Sequence, residues 1–102
     1  MAKLIALYKK PADVAAFDKY YFETHVPLAK TVAGLKRYDV SVGGVSKVGG
    51  ESPYHLAAIL TFDSVADLQK GLGSPEGAAT AKDLGNFAQA GVDLLMFESK
   101  EI

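Results

Sequence analysis

Three short segments are apolar at nearly every position: KLIALYK (3–9), YHLAAILTF (54–62) and GVDLLMFE (91–98). Continuous apolar runs of this length read as strands with both faces covered. A fourth segment, LKRYDVSV (35–42), alternates instead. Lys36, Tyr38, Val40 and Val42 share one face, while Leu35, Arg37, Asp39 and Ser41 share the other, the pattern of an edge or half-exposed strand. Between the first and second strands, Val14, Phe17, Tyr21, His25, Leu28 and Val32 recur at spacings of three or four and predict an amphipathic helix. Pro11 and Asp13 supply its start, and Gly34 a stop. Pro27 has no N–H and crowds the carbonyl of Glu23, which predicts a kink near His25.

Ser64 followed by Asp67 opens a second helix through Leu68 and Leu72. After Gly73, Ser74 and Pro75 restart a helical piece that carries Leu84 and Phe87 inward. GGVSKVGGESP (43–53) reads as a flexible hairpin connection. The order is β-α-β-β-α-β within one domain, residues 1–102, the ferredoxin-like α+β arrangement with a four-stranded antiparallel sheet. Crossover rules put the first and third strands in the centre and the second and fourth at the edges.

Two helices cover one face of such a sheet, yet three of its strands are apolar on both faces. The uncovered face would be a large apolar patch, which monomers rarely expose. A homodimer packed through the sheet face is therefore expected.

Apolar residues make up 49% of the chain and charged residues 23%, which excludes disorder of the bulk. A formal charge of -1, without a basic cluster, argues against nucleic acid and anionic membranes as partners. There is no cysteine, hence no disulfide framework, thiolate metal site or cysteine nucleophile. No run approaches the roughly 18 apolar residues of a membrane span, and the N-terminal apolar stretch is too short for a signal-peptide core. A cytoplasmic location is the expectation.

YYFETHVPLAKTVAGLKRYDVSVG (20–43) and SPEGAATAKDLGNFAQAGVDLLMFE (74–98) together resemble the EthD family over residues 2–98. The resemblance implies a dimeric α+β barrel. The family takes its name from a protein associated with bacterial degradation of ethyl tert-butyl ether. Its barrel superfamily includes cofactor-free polyketide cyclases, antibiotic-type monooxygenases, muconolactone isomerases and haem-degrading enzymes, so fold does not fix function.

His25 is the foremost candidate for chemistry. It lies in the apolar stripe and in the family-like His-Val-Pro-Leu-Ala motif. Its imidazole suits proton transfer near neutral pH, and the competing reading is a core histidine with both nitrogens satisfied. Strict alternation back from Phe62 puts Tyr54 on the helix side, as a donor to a carbonyl or enolate oxygen. The same alternation puts His55 on the dimer side. Tyr21, Phe22 and Leu56 are expected to wall a cavity shared with His25. Asp83 neighbours the stripe of Thr80, Leu84 and Phe87, which suggests a solvated or capping role.

No metal-ligand spacing, phosphate loop, dinucleotide fingerprint or serine elbow is present, so no metal and no cofactor is expected. Haem stays open through a single axial histidine. The expected function is a small dimeric enzyme performing cofactor-free proton transfer, of cyclase, isomerase or dehydratase type, on an apolar carbonyl or aromatic compound. Two alternatives stand beside it: a non-enzymatic hydrophobic-ligand-binding or stress-related dimer, and a cofactor-free monooxygenase.

Overall fold

The computed structural model describes residues 1–102. Strand β1 (Ala2–Lys9) leads to helix α1 (Val14–Tyr20), a π-helical segment (Tyr21–His25) and a short helix α2 (Val26–Ala29). Strand β2 (Arg37–Val40) follows, then a small ribbon of β3 (Ser46–Lys47) and β4 (Gly50–Glu51), and the long strand β5 (Tyr54–Phe62). Helices α3 (Val65–Leu72) and α4 (Pro75–Phe87) precede the last strand, β6 (Val92–Glu98). The main sheet runs β2-β5-β1-β6 with every neighbour antiparallel, so the first and third long strands are central, as the crossover rule requires. The glycine-rich stretch forms the separate β3–β4 ribbon rather than an unpaired loop.

The helix starts are where the sequence puts them. Asp13 accepts a hydrogen bond from the Ala16 amide at 3.0 Å, Ser64 from Asp67 at 3.1 Å and Ser74 from Gly77 at 3.1 Å. The first helical region differs in its second half. Pro27 cannot donate to Glu23, and the preceding turn is widened so that the Val26 amide donates to the Tyr21 carbonyl, five residues back. The buried series then runs Phe17, Tyr21, His25, Ala29 and Val32, with Ala29 inward where α-periodicity puts Leu28. The helix ends at Ala29, and Gly34 sits in the following turn with φ +83°.

One face of the sheet carries the helices. Ala2, Ala6 and Tyr8 from β1 and Leu56, Ala58, Leu60 and Phe62 from β5 form the core with Phe17, Tyr21, Leu68 and Phe87. The other face is bare, and the molecule is only 18 Å through its thinnest axis. There Ile5 pairs with Ile59 and Leu95, beside Leu7 and Phe97. On β6, Leu94, Leu95, Met96 and Phe97 are all about half exposed, whichever face they occupy.

Two placements are reversed at the start of β5. Tyr8 pairs with Leu56 but Lys9 pairs with Tyr54, so His55 is an extra residue, a β-bulge. Alternation holds from Phe62 back to Leu56 and fails there. The Tyr54 hydroxyl reaches Asp93 Oδ2 at 2.6 Å, and Asp93 pairs with Leu7 on the bare face. His55 turns to the helix side, edge-on to Phe17 with centroids 5.3 Å apart, and its Nε2 meets Asp18 Oδ1 at 2.7 Å. The bulge thus removes Tyr54 from the helix side and His55 from the bare face.

Candidate functional site

The π-helical turn delivers His25 to the interior, where it is 3% exposed. Helix α4 meets it from above. Asp83, at 7% exposure, accepts three hydrogen bonds: from His25 Nδ1 at 2.9 Å, from the Tyr20 hydroxyl at 2.5 Å and from Asn86 Nδ2 at 3.0 Å. Burial would raise the Asp83 pKa, but the donors Tyr20, Asn86 and His25 outweigh it and hold the carboxyl below the ordinary range. The carboxylate is therefore ionised and can only accept, so His25 carries its proton on Nδ1.

Burial pushes the His25 pKa below the usual imidazole value, with Asp83 partly opposing it. At neutral pH the ring is neutral, and its Nε2 bears a lone pair. Nδ1 is the only ring nitrogen of His25 with a protein hydrogen bond. The ring also packs on Phe87 and Tyr21, at centroid distances of 4.7 and 5.5 Å, so its orientation is fixed by contacts as well as by Asp83.

His25 lies in the wall of a cavity of about 70 Å³ between the sheet and helices α2 and α4. Small side chains make the space: Ala6, Ala29, Ala58, Gly77 and Ala81 line it. Tyr8 and Tyr38 bring hydroxyl-bearing rings to the same wall. Tyr38 and Tyr21 share a hydrogen bond of 2.6 Å between their hydroxyls. Burial raises the pKa of Tyr8, Tyr21 and Tyr38, so all three stay protonated donors. The apolar cavity is thus lined by a neutral imidazole whose Nε2 has no protein partner and by two tyrosine rings that keep their protons.

The residues singled out in the sequence are only partly gathered here. His25 and Tyr21 meet at the site, with Tyr21 behind Tyr38 rather than in the cavity wall. Phe22 is exposed and, with Leu56 and His55, borders a separate surface cleft beside Gly43 and Gly44. Tyr54 is absent from the cavity wall because of the bulge, whereas Tyr38 lines it. Asp83 is neither solvated nor a cap, contrary to the sequence expectation, because the turn of α4 that buries Phe87 also buries the residue four before it. The spacing Thr80, Asp83, Leu84, Phe87 is itself an i, i+3, i+4, i+7 series, and an acid within it was the available signal. No group of three or more His, Asp or Glu side chains is placed to hold a metal ion, and no helix is long and apolar enough to cross a membrane.

Comparison with known proteins places this geometry among relatives. The family model described as EthD domain matches residues 9–91. An uncharacterised 11.0 kDa protein from the thcB–thcC intergenic region of Rhodococcus erythropolis is 36% identical over 103 residues, covering 100% of this chain and 98% of the relative. The crystal structure of an ethyl tert-butyl ether (EthD) family protein from Bacillus halodurans is 38% identical, with a TM-score of 0.89, over 98% of this chain and 99% of that one. A hydroxynitrile lyase from Passiflora edulis shares the fold at 17% identity and a TM-score of 0.76, over 99% of this chain and 94% of its own.

Proposed function

For a chain that belongs to the EthD family, we propose cofactor-free acid–base catalysis on a small apolar carbonyl compound, carried out by a homodimer. The observation that carries the reading is His25, with Nδ1 fixed on Asp83 and Nε2 without a protein partner, in the wall of an apolar cavity that Tyr38 also lines. A neutral imidazole of this kind accepts a proton from a carbon next to a carbonyl. The imidazolium formed is stabilised by the Asp83 carboxylate. Meanwhile the Tyr38 hydroxyl, backed by Tyr21, donates to the developing enolate oxygen. Returning the proton to a different atom gives isomerisation. Loss of a leaving group or attack on a second carbonyl gives elimination or cyclisation. The hydroxynitrile lyase from Passiflora edulis indicates that this architecture hosts lyase chemistry.

The dimer reading rests on the bare face. Ile5, Leu7, Ile59, Leu95 and Phe97 share that face, with Ile59, Leu95 and Phe97 37%, 53% and 49% exposed, and contiguous exposed apolar side chains of this kind mark an interaction surface. Packing two copies face to face buries it and leaves each helix-side cavity intact.

The test needs no known substrate. Hydrogen–deuterium exchange at C1 and C3 of 2-hexanone, followed by proton NMR in D₂O at neutral pH, reads enolisation directly. The wild-type protein is expected to accelerate exchange. His25→Gln should remove about 10²–10⁴-fold of that acceleration, the usual contribution of a general base. Tyr38→Phe should remove about 10²–10³-fold, the usual value for an oxyanion donor. Both variants should keep the wild-type circular dichroism. Exchange that is equally fast in His25→Gln would refute the reading. A ketone that binds beside His25 without exchange would make the protein a carrier, and oxygen uptake with a phenol would make it an oxygenase.

A further inference from the structure

The cavity holds about 70 Å³. That is little more than two water molecules' share of liquid volume, against roughly 300 Å³ or more in sites that engulf a whole ligand. It accommodates a carbonyl head and little else. The apolar surface does not stop at its mouth. Leu4, Leu72 and Leu94 line the cavity, and Leu72 and Leu94 are also exposed to solvent, at 38% and 52%. Leu94 pairs with Ala6 and Met96 with Leu4 across the β1–β6 ladder, so Leu94 and Met96 lie on the helix side of the sheet, in line with the cavity floor. Met96 is 48% exposed. Packing two sheets face to face covers Leu95 and Phe97 but leaves Leu94 and Met96 in water, because they point the other way.

We infer that this strip is a tail groove, and that the substrate class is a ketone or aldehyde with a flexible alkyl chain, its oxygen at His25 and Tyr38 and its chain laid over Leu94 and Met96. The inference rests on the acid–base reading of His25 and extends it to the part of the molecule outside the cavity. The step from Leu94 to Met96 spans about 7 Å of strand, enough for several methylenes. Leu94 and Met96 carry no charge, and the strip ends at Glu98, which pairs with Ala2 on the same side of the sheet, so it selects chain length up to that point.

The experiment is a chain-length series, 2-pentanone to 2-nonanone, titrated into the wild-type dimer with methyl and amide NMR detection. Full burial of a methylene tightens binding about fourfold. One side of the chain remains in water, so a gain of about two- to fourfold per methylene is expected, ending once the tail passes Met96. The longer ketones should shift the Met96 methyl resonance, whereas 2-pentanone should shift only resonances around His25 and Tyr38. Met96→Lys should flatten the chain-length dependence. Flat affinity across the wild-type series, with the Met96 methyl unmoved by 2-nonanone, would overturn the groove and leave the strip to another occupant such as a second copy. In that event His25-dependent exchange of 2-hexanone leaves the acid–base reading standing. If no ketone of any length binds or exchanges, both fall.

Discussion

Replacing Asp83 by Asn isolates what holds His25. The Asp83 side chain is nearly fully buried and accepts from His25, Tyr20 and Asn86. Asn keeps one acceptor oxygen, so Tyr20 and Asn86 retain a partner, but through neutral bonds. The amide nitrogen must then face His25 Nδ1, where one donor now meets another unless the ring changes tautomer. Hydrogen bonds to a charged group contribute about 1.5–3 kcal/mol and neutral ones about 0.5–1.5 kcal/mol. Weakening two and reversing the third amounts to about 2–4 kcal/mol. At about 4–8 °C per kcal/mol for a domain of this size, the melting temperature should fall by roughly 10–30 °C.

The pH dependence supplies a second signature. Asp83 has a folded pKa below its unfolded value. Its contribution is therefore complete above about pH 4 and is lost as pH falls through the folded value. The gap between wild type and variant should be widest near neutral pH and should close on acidification below about pH 4. Urea unfolding at pH 3–7 measures the gap, and long-range proton–nitrogen NMR reads the ring. In wild type Nδ1 is protonated. In Asp83→Asn the proton should move to Nε2, and the ring loses its base. A stability loss under about 0.5 kcal/mol, or an unchanged tautomer, would refute the assignment of Asp83 as the group that positions His25.

Five further outcomes follow from the geometry. A Cβ at Gly77 would sit 2.1 Å from the Gly71 carbonyl oxygen and 2.6 Å from that of Leu72, so Gly77→Ala should cost about 3 kcal/mol or more in thermal unfolding. Gly85, in the same helix with nothing within 4 Å, should instead gain about 0.5–1 kcal/mol on the same change. Tyr54→Phe removes only the bond to Asp93, and 2-hexanone exchange should be unaltered; a hundredfold drop would return Tyr54 to the site. Phe97→Glu puts a charge on the bare face and should halve the mass seen by light scattering, whereas an unchanged mass would sink the sheet-to-sheet dimer. His25 has a folded pKa below the ordinary value of about 6.5, so the unfolded chain takes up this proton first as pH falls. Wild-type stability should decline just below pH 6.5 by up to about 1.4 kcal/mol per pH unit, and His25→Gln should lose that slope.

The legible parts of the fold were local ones. Asp13, Ser64 and Ser74 announce their helices through bonds that span three residues, and the strand order follows from the run lengths and connections alone. His25 was visible because it stands in an apolar stripe where a charge-capable ring is out of place. Its partner was harder to find. Asp83 lies 58 residues away, and only the packing of α4 on the π-helical turn brings the two together. Tyr54 and His55 were misread because alternation assumes one residue per ladder position, and a bulge breaks that count without changing the composition. Tyr38 stood on the correct face of its strand, but nothing in the segment around it points to a shared hydrogen bond with Tyr21.

The widened turn at Tyr21–His25 has a consequence for length. It holds one residue more than an α-turn would, so forcing the same residues into a regular α-helix, with none deleted, would rotate everything beyond the turn by about 100°. Ala29 would swing out toward solvent. The larger Leu28 or its neighbour would face the sheet in its place, and the room between Ala6, Ala58 and Gly77 would be filled. On this account the hollow beside His25 is a product of spacing more than of wall composition. A homologue with the same wall residues and one residue fewer in this turn would carry them inward on a regular α-helix and keep the hollow.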